Sequence, residues 1–215
     1  NSNEKLDVKV VGEYDKNKAG KYNLKYYAED SSGNSSEYDF VLNIVTDPNN
    51  RTFTTSKGYI GKVVNGVTYI DGVLIANKTY SLPSNYGSGL TSETQNAFNK
   101  MKAAAQSENL TLVLSSGFRS YYDQQYIYNN YVRRDGQASA DTYSARAGHS
   151  EHQTGLAVDI YNKEEDYTNF EKTKEYTWMM EHAHEYGFIL RFPKDKENET
   201  GYKFESWHYR YVGKK

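Results

Sequence analysis

No cysteine occurs among the 215 residues, which removes disulfide frameworks, thiolate metal sites and cysteine nucleophiles together. Nor is there an excess of charge of one sign. The 26 basic and 28 acidic side chains are interspersed, without the one-sided electrostatic footprint of a nucleic-acid or anionic-membrane binder. No apolar run approaches the roughly 20 residues that cross a bilayer, so neither nucleic acid nor direct membrane insertion is expected. Asn1-Ser2-Asn3 lacks the basic and apolar regions of a signal peptide, consistent with a targeting segment already removed. What is abundant is tyrosine, with 22 residues. A phenol is half apolar and half hydrogen-bonding, so many of these rings belong on surfaces or along a groove that suits a polar substrate, unless they reflect a compositional bias of the source.

The length allows one well-buried domain and a smaller one, since a domain of roughly 150 residues buries about two-thirds of its unfolded surface. Lys5 to Val11, Gly20 to Glu29 and Ser36 to Val45 alternate apolar with polar residues, and Asp30-Ser31-Ser32-Gly33-Asn34 is a turn cluster. This predicts a small antiparallel sheet. Asp47-Pro48-Asn49-Asn50 breaks the pattern, which predicts a first module over residues 1–47, a linker over 48–58 and a second domain over 59–215. In that domain, Asn65-Gly66 and Asp71-Gly72 mark hairpins between Tyr59 and Tyr80. Ser92 and Gln95 have capping-box spacing ahead of Ala97, Phe98, Met101, Ala104 and Ala105, predicting a helix over 92–107. A strand over 111–115 leads past Arg119 to a second helix capped by Ser120. Residues 135–150 form a long loop, of a length that in compact domains is usually functional or disordered. A strand over 156–161, a helix over 169–186 ended by Gly187, and strands over 188–192 and 207–211 complete an α+β domain.

Two short segments carry the chemistry. Ser150-Glu151-His152-Gln153-Thr154-Gly155-Leu156-Ala157-Val158-Asp159 and Glu205-Ser206-Trp207-His208 together offer two imidazoles and two carboxylates. A catalytic zinc takes three ligands of the His and Asp/Glu kind and leaves a position for water, with a further carboxylate as base. His152, Asp159 and His208 suit the ligand roles, and Glu205 the base. His152 and Asp159 are expected on a turn that enters a strand, with Gly155 letting the chain reverse. Glu205 and His208 stand three apart, so a bulge or non-extended turn must precede the last strand. Any of the five histidines alone reads as a surface or satisfied core residue, and His182 and His184, two apart on a helix, are read that way. His149 is read as either a partner behind the ligands or an exposed ring. The same two-His, one-carboxylate set also holds Fe(II), Co or Mn.

These segments resemble the VanY-like peptidases, zinc enzymes that trim bacterial cell-wall peptides and include D,D-carboxypeptidases, L,D-carboxypeptidases and D,D-dipeptidases. The likeness runs from Val64-Asn65-Gly66 through Asn77-Lys78-Thr79-Tyr80, Ser116-Gly117-Phe118-Arg119-Ser120 and Ser150 to Asp159, ending at Trp207-His208-Tyr209-Arg210-Tyr211-Val212-Gly213. It implies zinc on His152, Asp159 and His208, Glu205 as catalytic base, and Arg119 as a substrate-side cation; a salt bridge at the helix start is the plainer reading of Arg119. It also points to Gln125, Ser144 and Ser150 as holders of the substrate's terminal carboxylate. Where many relatives have proline and tyrosine, this chain has Ala147 and His149, a departure in the loop and substrate rim. Separately, Ala19-Gly20-Lys21-Tyr22 through Tyr26-Tyr27-Ala28-Glu29-Asp30 resembles the C-terminal part of bacterial immunoglobulin-like repeats. Such sandwiches need about seven strands, so further strands are expected upstream.

The resemblance implies a zinc carboxypeptidase that removes the C-terminal D-Ala from peptidoglycan stem peptides outside the membrane, associated with the cell wall. A D,D-carboxypeptidase is favoured, then an L,D-carboxypeptidase on tetrapeptide stems, then a peptidoglycan endopeptidase. The rival from another class is a non-catalytic wall-binding module with a structural zinc. That rival needs a fourth protein ligand or loss of the base, and Glu205 is present.

Overall fold

The structure, a computed structural model, describes residues 5–16, 18–45, 47–163 and 169–214. The Asn1-Ser2-Asn3 segment and the part of the expected first module at residues 1–4, 17 and 46 lie outside them. The chain forms two compact units, Asn1–Arg51 and Thr52–Lys215. In the first, β1 (Lys9–Val11), β2 (Gly20–Glu29) and β3 (Ser35–Ile44) make an antiparallel sheet in that order. The Asp30 carboxylate closes the β2–β3 turn by accepting from the backbone amides of Ser32 and Asn34 at 2.9 and 2.8 Å. Tyr26 stacks on Phe40 with ring centroids 4.3 Å apart.

A second sheet runs β4 (Arg51–Thr54), β5 (Ile60–Val64), β6 (Val67–Ile70) and β7 (Val73–Ile75) in that order. Strand β4 lies within the segment expected to be a linker. Asn65 and Asp71 take positive φ in the turns on either side of β6, as asparagine and aspartate tolerate.

The elements that position the site are α1 (Ser92–Ser107), β8 (Val113–Ser116), α2 (Tyr121–Asp135), α3 (Gln137–Ala140), β9 (Ala157–Tyr161), α4 (Lys174–His182), β10 (Phe188–Leu190), α5 (Glu197–Thr200) and β11 (His208–Tyr211). The strands form one antiparallel sheet ordered β10-β11-β9-β8. Mixed helices and antiparallel sheets are thus what the α+β reading anticipated. Helix α1 is capped by Thr91, whose hydroxyl accepts from the Thr94 amide at 3.2 Å, one residue before the expected Ser92. Ser120 caps α2 by accepting from the Asp123 amide. The helix expected over 169–186 is three pieces: a single 3-10 turn, Phe170–Lys172, then α4, then a second 3-10 turn, Ala183–Tyr186. The break falls at Thr173, which is extended and caps α4 through its hydroxyl. The short α3 interrupts the loop expected over 135–150.

Phe98, Met101 and Ala105 of α1 and Trp178 and Met179 of α4 pack with Val158, Ile160, Phe188 and Tyr209 of the sheet into one core. Along β9, Val158 and Ile160 point into that core, so Ala157 and Asp159 take the opposite face by the period of two. On β11, Tyr209 enters the core and His208 and Arg210 take the opposite face. Ahead of β9, Gly155 has φ 69°, and a Cβ there would stand 2.3 Å from the Gly89 carbonyl oxygen. Only glycine fits both the left-handed backbone and that approach. Gly155→Ala should destabilise the protein by about 2–4 kcal/mol, whereas Gly89→Ala, with open space around its Cβ, should cost under about 1 kcal/mol. Urea denaturation of both variants checks this, and equal midpoints would contradict it.

Candidate metal centre

The register of the central sheet does most of the assembly. His208 pairs directly with Asp159, and Asp159 pairs on its other side with Ser116 across a bulge in β8. His152 arrives on a single 3-10 turn, Glu151–Thr154, which Gly155 ends in the left-handed conformation. A single turn followed by a strand therefore carries the two ligand candidates of the first segment. In the second segment, a turn at Ser206 and Trp207 precedes β11, and the His208 amide lies 3.4 Å from the Glu205 carbonyl oxygen. That non-extended turn lets two residues three apart face one place.

The ring nitrogens have assigned partners. A carbonyl can only accept, so His152 Nδ1 donates to the Gly117 carbonyl at 2.6 Å and its Nε2 is the free nitrogen. That Nε2 stands 3.3 Å from Asp159 Oδ2. His208 is held from both sides, with Nδ1 3.1 Å from Asp159 Oδ1 and Nε2 3.2 Å from Glu151 Oε2. His152, Asp159 and His208 each offer one donor atom, all within 4.8 Å of one another, and all three residues are buried. Two neutral-capable imidazole nitrogens and a carboxylate within that span fit a divalent metal ion with further coordination positions open. Glu205 is half-buried, with Oε2 3.8 Å from His208 Nδ1.

Glu151 is the residue that sequence reasoning missed. It is buried, with Oε1 accepting from Arg191 Nε at 2.8 Å and lying 3.6 Å from Arg210 Nη1. Burial opposes its ionisation, but the His208 hydrogen bond and the two guanidinium charges outweigh that and hold its pKa down at about 2. Burial likewise opposes charge on His208, yet hydrogen bonds to Asp159 and Glu151 prevail and raise it to about 10 in the metal-free protein. Since Nε2–H faces Glu151, a metal ion would take the place of the Nδ1 proton. Burial depresses His152 below the ordinary imidazole range. Asp159 is held below the usual carboxylate range by the two histidines against the cost of burial. Burial pushes Glu205 up to about 7, with His208 opposing.

A cavity of about 480 Å³ opens over these groups and is lined also by Arg119, Ser144, Ser150 and Trp207. Arg119 donates from Nη1 to Gln124 Oε1 at 2.9 Å and from Nη2 to Ser116 Oγ at 3.0 Å, and Nη2 lies 3.8 Å from Asp159 Oδ2. Gln124 is buried on α2 and donates in turn to Ser144 Oγ and the Ala145 carbonyl. Gln125, the expected contact, is exposed and does not line the cavity. One residue along a helix is a rotation of about 100°, and Gln124 holds the inward position. His149 is half-buried at the cavity wall with Nδ1 donating to the Asn77 carbonyl at 2.7 Å. His182 packs on Trp178 and His184 is exposed, both outside the cavity.

A family model described as VanY, D-alanyl-D-alanine carboxypeptidase, matches residues 87–214. The chain is 35% identical over 194 residues to Bacillus subtilis (strain 168) YodJ, a carboxypeptidase by assignment, covering 77% of this chain and 71% of that protein. Among solved structures it is similar to the LdcB LD-carboxypeptidase, with TM-score 0.61, 37% identity, and coverage of 80% of this chain and 86% of that one. It is also similar to a mutant of the vancomycin-resistance D,D-pentapeptidase VanY from a VanB-type cassette in complex with Zn(II), with TM-score 0.55, 31% identity, and coverage of 65% and 86%.

Removing the Glu151 carboxylate would leave buried Arg210 and the His208 Nε2–H without their anion. Glu151→Ala should cost about 3–5 kcal/mol, and Glu151→Gln, which keeps an acceptor for His208, clearly less. Equilibrium urea unfolding of the metal-free variants reads this, and a cost below about 1 kcal/mol for the alanine variant would contradict it.

Proposed function

The chain belongs to the VanY D-alanyl-D-alanine carboxypeptidase family, and from that premise we propose that it is a zinc carboxypeptidase removing the C-terminal D-Ala of peptidoglycan stem peptides. The observation that carries this is the convergence of His152, Asp159 and His208 beside Glu205 at the floor of a cavity. No fourth His, Cys, Asp or Glu joins that group among the described residues, which favours a catalytic over a structural zinc. Bound there, zinc would supply Lewis acidity, lowering the pKa of water and polarising the peptide carbonyl.

Glu205, 3.8 Å from His208 Nδ1, would accept the proton of the attacking water and return it to the departing amine. A pKa near 7 before metal binding is close to the working range of a general base. Arg119 is held rigid by Gln124 and Ser116. Each of its terminal nitrogens keeps a second proton beyond those contacts, available to the oxygen that gains charge as the carbonyl is attacked. Loss of one such donor typically lowers the rate on the order of 100- to 1,000-fold. Ser144 and Ser150, in the cavity wall, are proposed as polar contacts to the end of the peptide.

Among the activities that the resemblance implies, the D,D reading stands first. One observation favours the L,D reading instead, namely the greater likeness to LdcB, at 37% identity over 80% of the chain against 31% over 65% for VanY. On that observation we prefer a tetrapeptide stem ending in a single D-Ala. A substrate in the cell wall places the protein outside the membrane, and among the described residues no helix is long and apolar enough to cross one. The N-terminal sheet would then serve as an immunoglobulin-like spacer.

Zinc-loaded protein incubated with tetrapeptide and pentapeptide stems should release one alanine, read by mass spectrometry. Loss from the tetrapeptide supports the L,D reading and loss from the pentapeptide alone the D,D reading. Glu205→Gln should retain zinc and lose about 100- to 10,000-fold in kcat. Failure of the loaded wild type to shorten either stem would overturn the proposal.

A further inference from the structure

We propose that the side pocket formed by Lys78, Asp141, Arg146, His149 and Tyr202 is a subsite for a side-branch carboxylate of the stem peptide, upstream of the bond that is cut. The assignment rests on the carboxypeptidase reading above and adds a determinant of which stems the enzyme accepts. Apart from its terminus, a stem carries the α-carboxylate of a γ-linked D-glutamate and, where the third residue is diaminopimelate, the carboxylate of that side chain. Each of the two can be free or amidated.

The pocket has a volume of about 330 Å³ and shares two wall residues, His149 and Tyr202, with the catalytic cavity. His149 stands three residues before His152, so at most about 11 Å of backbone lies between the shared wall and a metal ligand. Its Nδ1 donates to the Asn77 carbonyl at 2.7 Å, which leaves Nε2 without a protein partner among the described residues. Tyr202 is buried, with its ring centroid 5.0 Å from that of Phe192. Burial holds its phenol above the ordinary range, and the charges of Glu205, Glu151 and Asp141 add to this. One ring therefore stands within electrostatic reach of both the catalytic carboxylate and the side pocket.

The charges of the pocket do not balance. Asp141 is spent on its neighbours: Oδ1 accepts from Tyr128 at 2.8 Å and from Arg146 Nε at 3.0 Å, and Oδ2 accepts from Arg146 Nη2 at 2.7 Å. The Lys78 ammonium donates to the Asp141 backbone carbonyl and lies 4.0 Å from the Tyr202 ring centroid. A Cβ at Gly201 would stand 2.6 Å from Lys78 Cε, so the stem of this lysine is laid against that glycine and its head is held at the pocket. Burial lowers Lys78 below its ordinary range, with Asp141 opposing and Arg146 adding to the shift. Arg119 and Arg191 stand beside the carboxylates of Asp159 and Glu151, whereas no carboxylate among the described residues forms an ion pair with Lys78. Two cations against one carboxylate leave a positive charge in excess, and an incoming carboxylate is its complement.

The length of the substrate suits this placement. A peptide residue spans roughly 3.3–3.6 Å of extended chain. A carboxylate on the residue that carries the cut carbonyl, or on the residue before it, is thus within two or three residue lengths of the metal ligands, the same span that limits the distance to His149. A stem amidated at that position presents a neutral group, which leaves the Lys78 charge unmatched.

The test is steady-state kinetics of the zinc-loaded protein on tetrapeptide and pentapeptide stems with diaminopimelate as third residue. Each stem is used in three forms: both side-branch carboxylates free, the D-glutamate carboxylate amidated, and the diaminopimelate carboxylate amidated. Amidation at one of the two positions should lower kcat/KM about 10-fold, through KM, and the position that matters identifies which carboxylate is held. Lys78→Met should abolish the difference by raising KM for the free form alone, and Lys78→Arg, which keeps a cation, should retain it. Arg146→Gln serves if the methionine variant fails to fold, and it should reduce the difference several-fold. Equal kcat/KM for all three forms on the wild type would overturn the assignment. So would a difference that survives the substitution, or an equal loss on all three forms, as a lysine that merely braces the loop would give. Cleavage of no form by the wild type would instead remove the carboxypeptidase reading, and this assignment with it.

Discussion

The imidazole of His208 is held between two carboxylates, Asp159 at Nδ1 and Glu151 at Nε2, and the rest of the site depends on that arrangement. Asp159 comes from direct pairing of β9 with β11, a contact that cannot shift by one residue without turning Val158 and Ile160 out of the core. Glu151 comes from the 3-10 turn, and its charge is kept by Arg191 and Arg210. With a carboxylate fixed at Nε2, the other nitrogen is the one available to a metal. Metal-binding histidines are commonly oriented in this way, and the orienting partners matter to affinity nearly as much as the ligands.

This arrangement also links stability to function. The central sheet is at once the wall of the hydrophobic core and the platform for Asp159, His208 and Arg210. Alternation along β9 and β11 separates the two uses, one face apolar and the other ionic. Burying so many charges is costly unless each has a partner, and here they do: His208 with Asp159 and Glu151, Glu151 with two arginines, Arg119 with Gln124, Ser116 and Asp159.

Much of this was legible in the sequence where periodicity and turn chemistry speak directly. Helix α1 spans the expected residues because Phe98, Met101 and Ala105 repeat at helical spacing and are all buried. The turn before β11 followed from Glu205 and His208 being three apart. Helix α2 was different. Its only buried residue is Gln124, so it has no apolar stripe to fix its phase, and periodicity does not correct the resemblance, which points to the neighbouring Gln125. The 169–186 segment lacks glycine or proline, and its breaks arise from the extended Thr173 and from tertiary packing. Glu151 sits beside His152 like any solvated acid, and its partners, Arg191 just after β10 and Arg210 on β11, are distant in sequence and give no local signal. Two arginines among the apolar residues of short strands were the available hint that a buried counter-charge existed.

The most direct measurement is the histidine 15N NMR spectrum of the protein titrated with zinc. The arrangement around His208 predicts one equivalent of zinc, with the metal shift at Nε2 of His152 and at Nδ1 of His208, and a retained Nε2–H on His208. Coordination of His208 through Nε2, or no change at either residue after one equivalent, would contradict it.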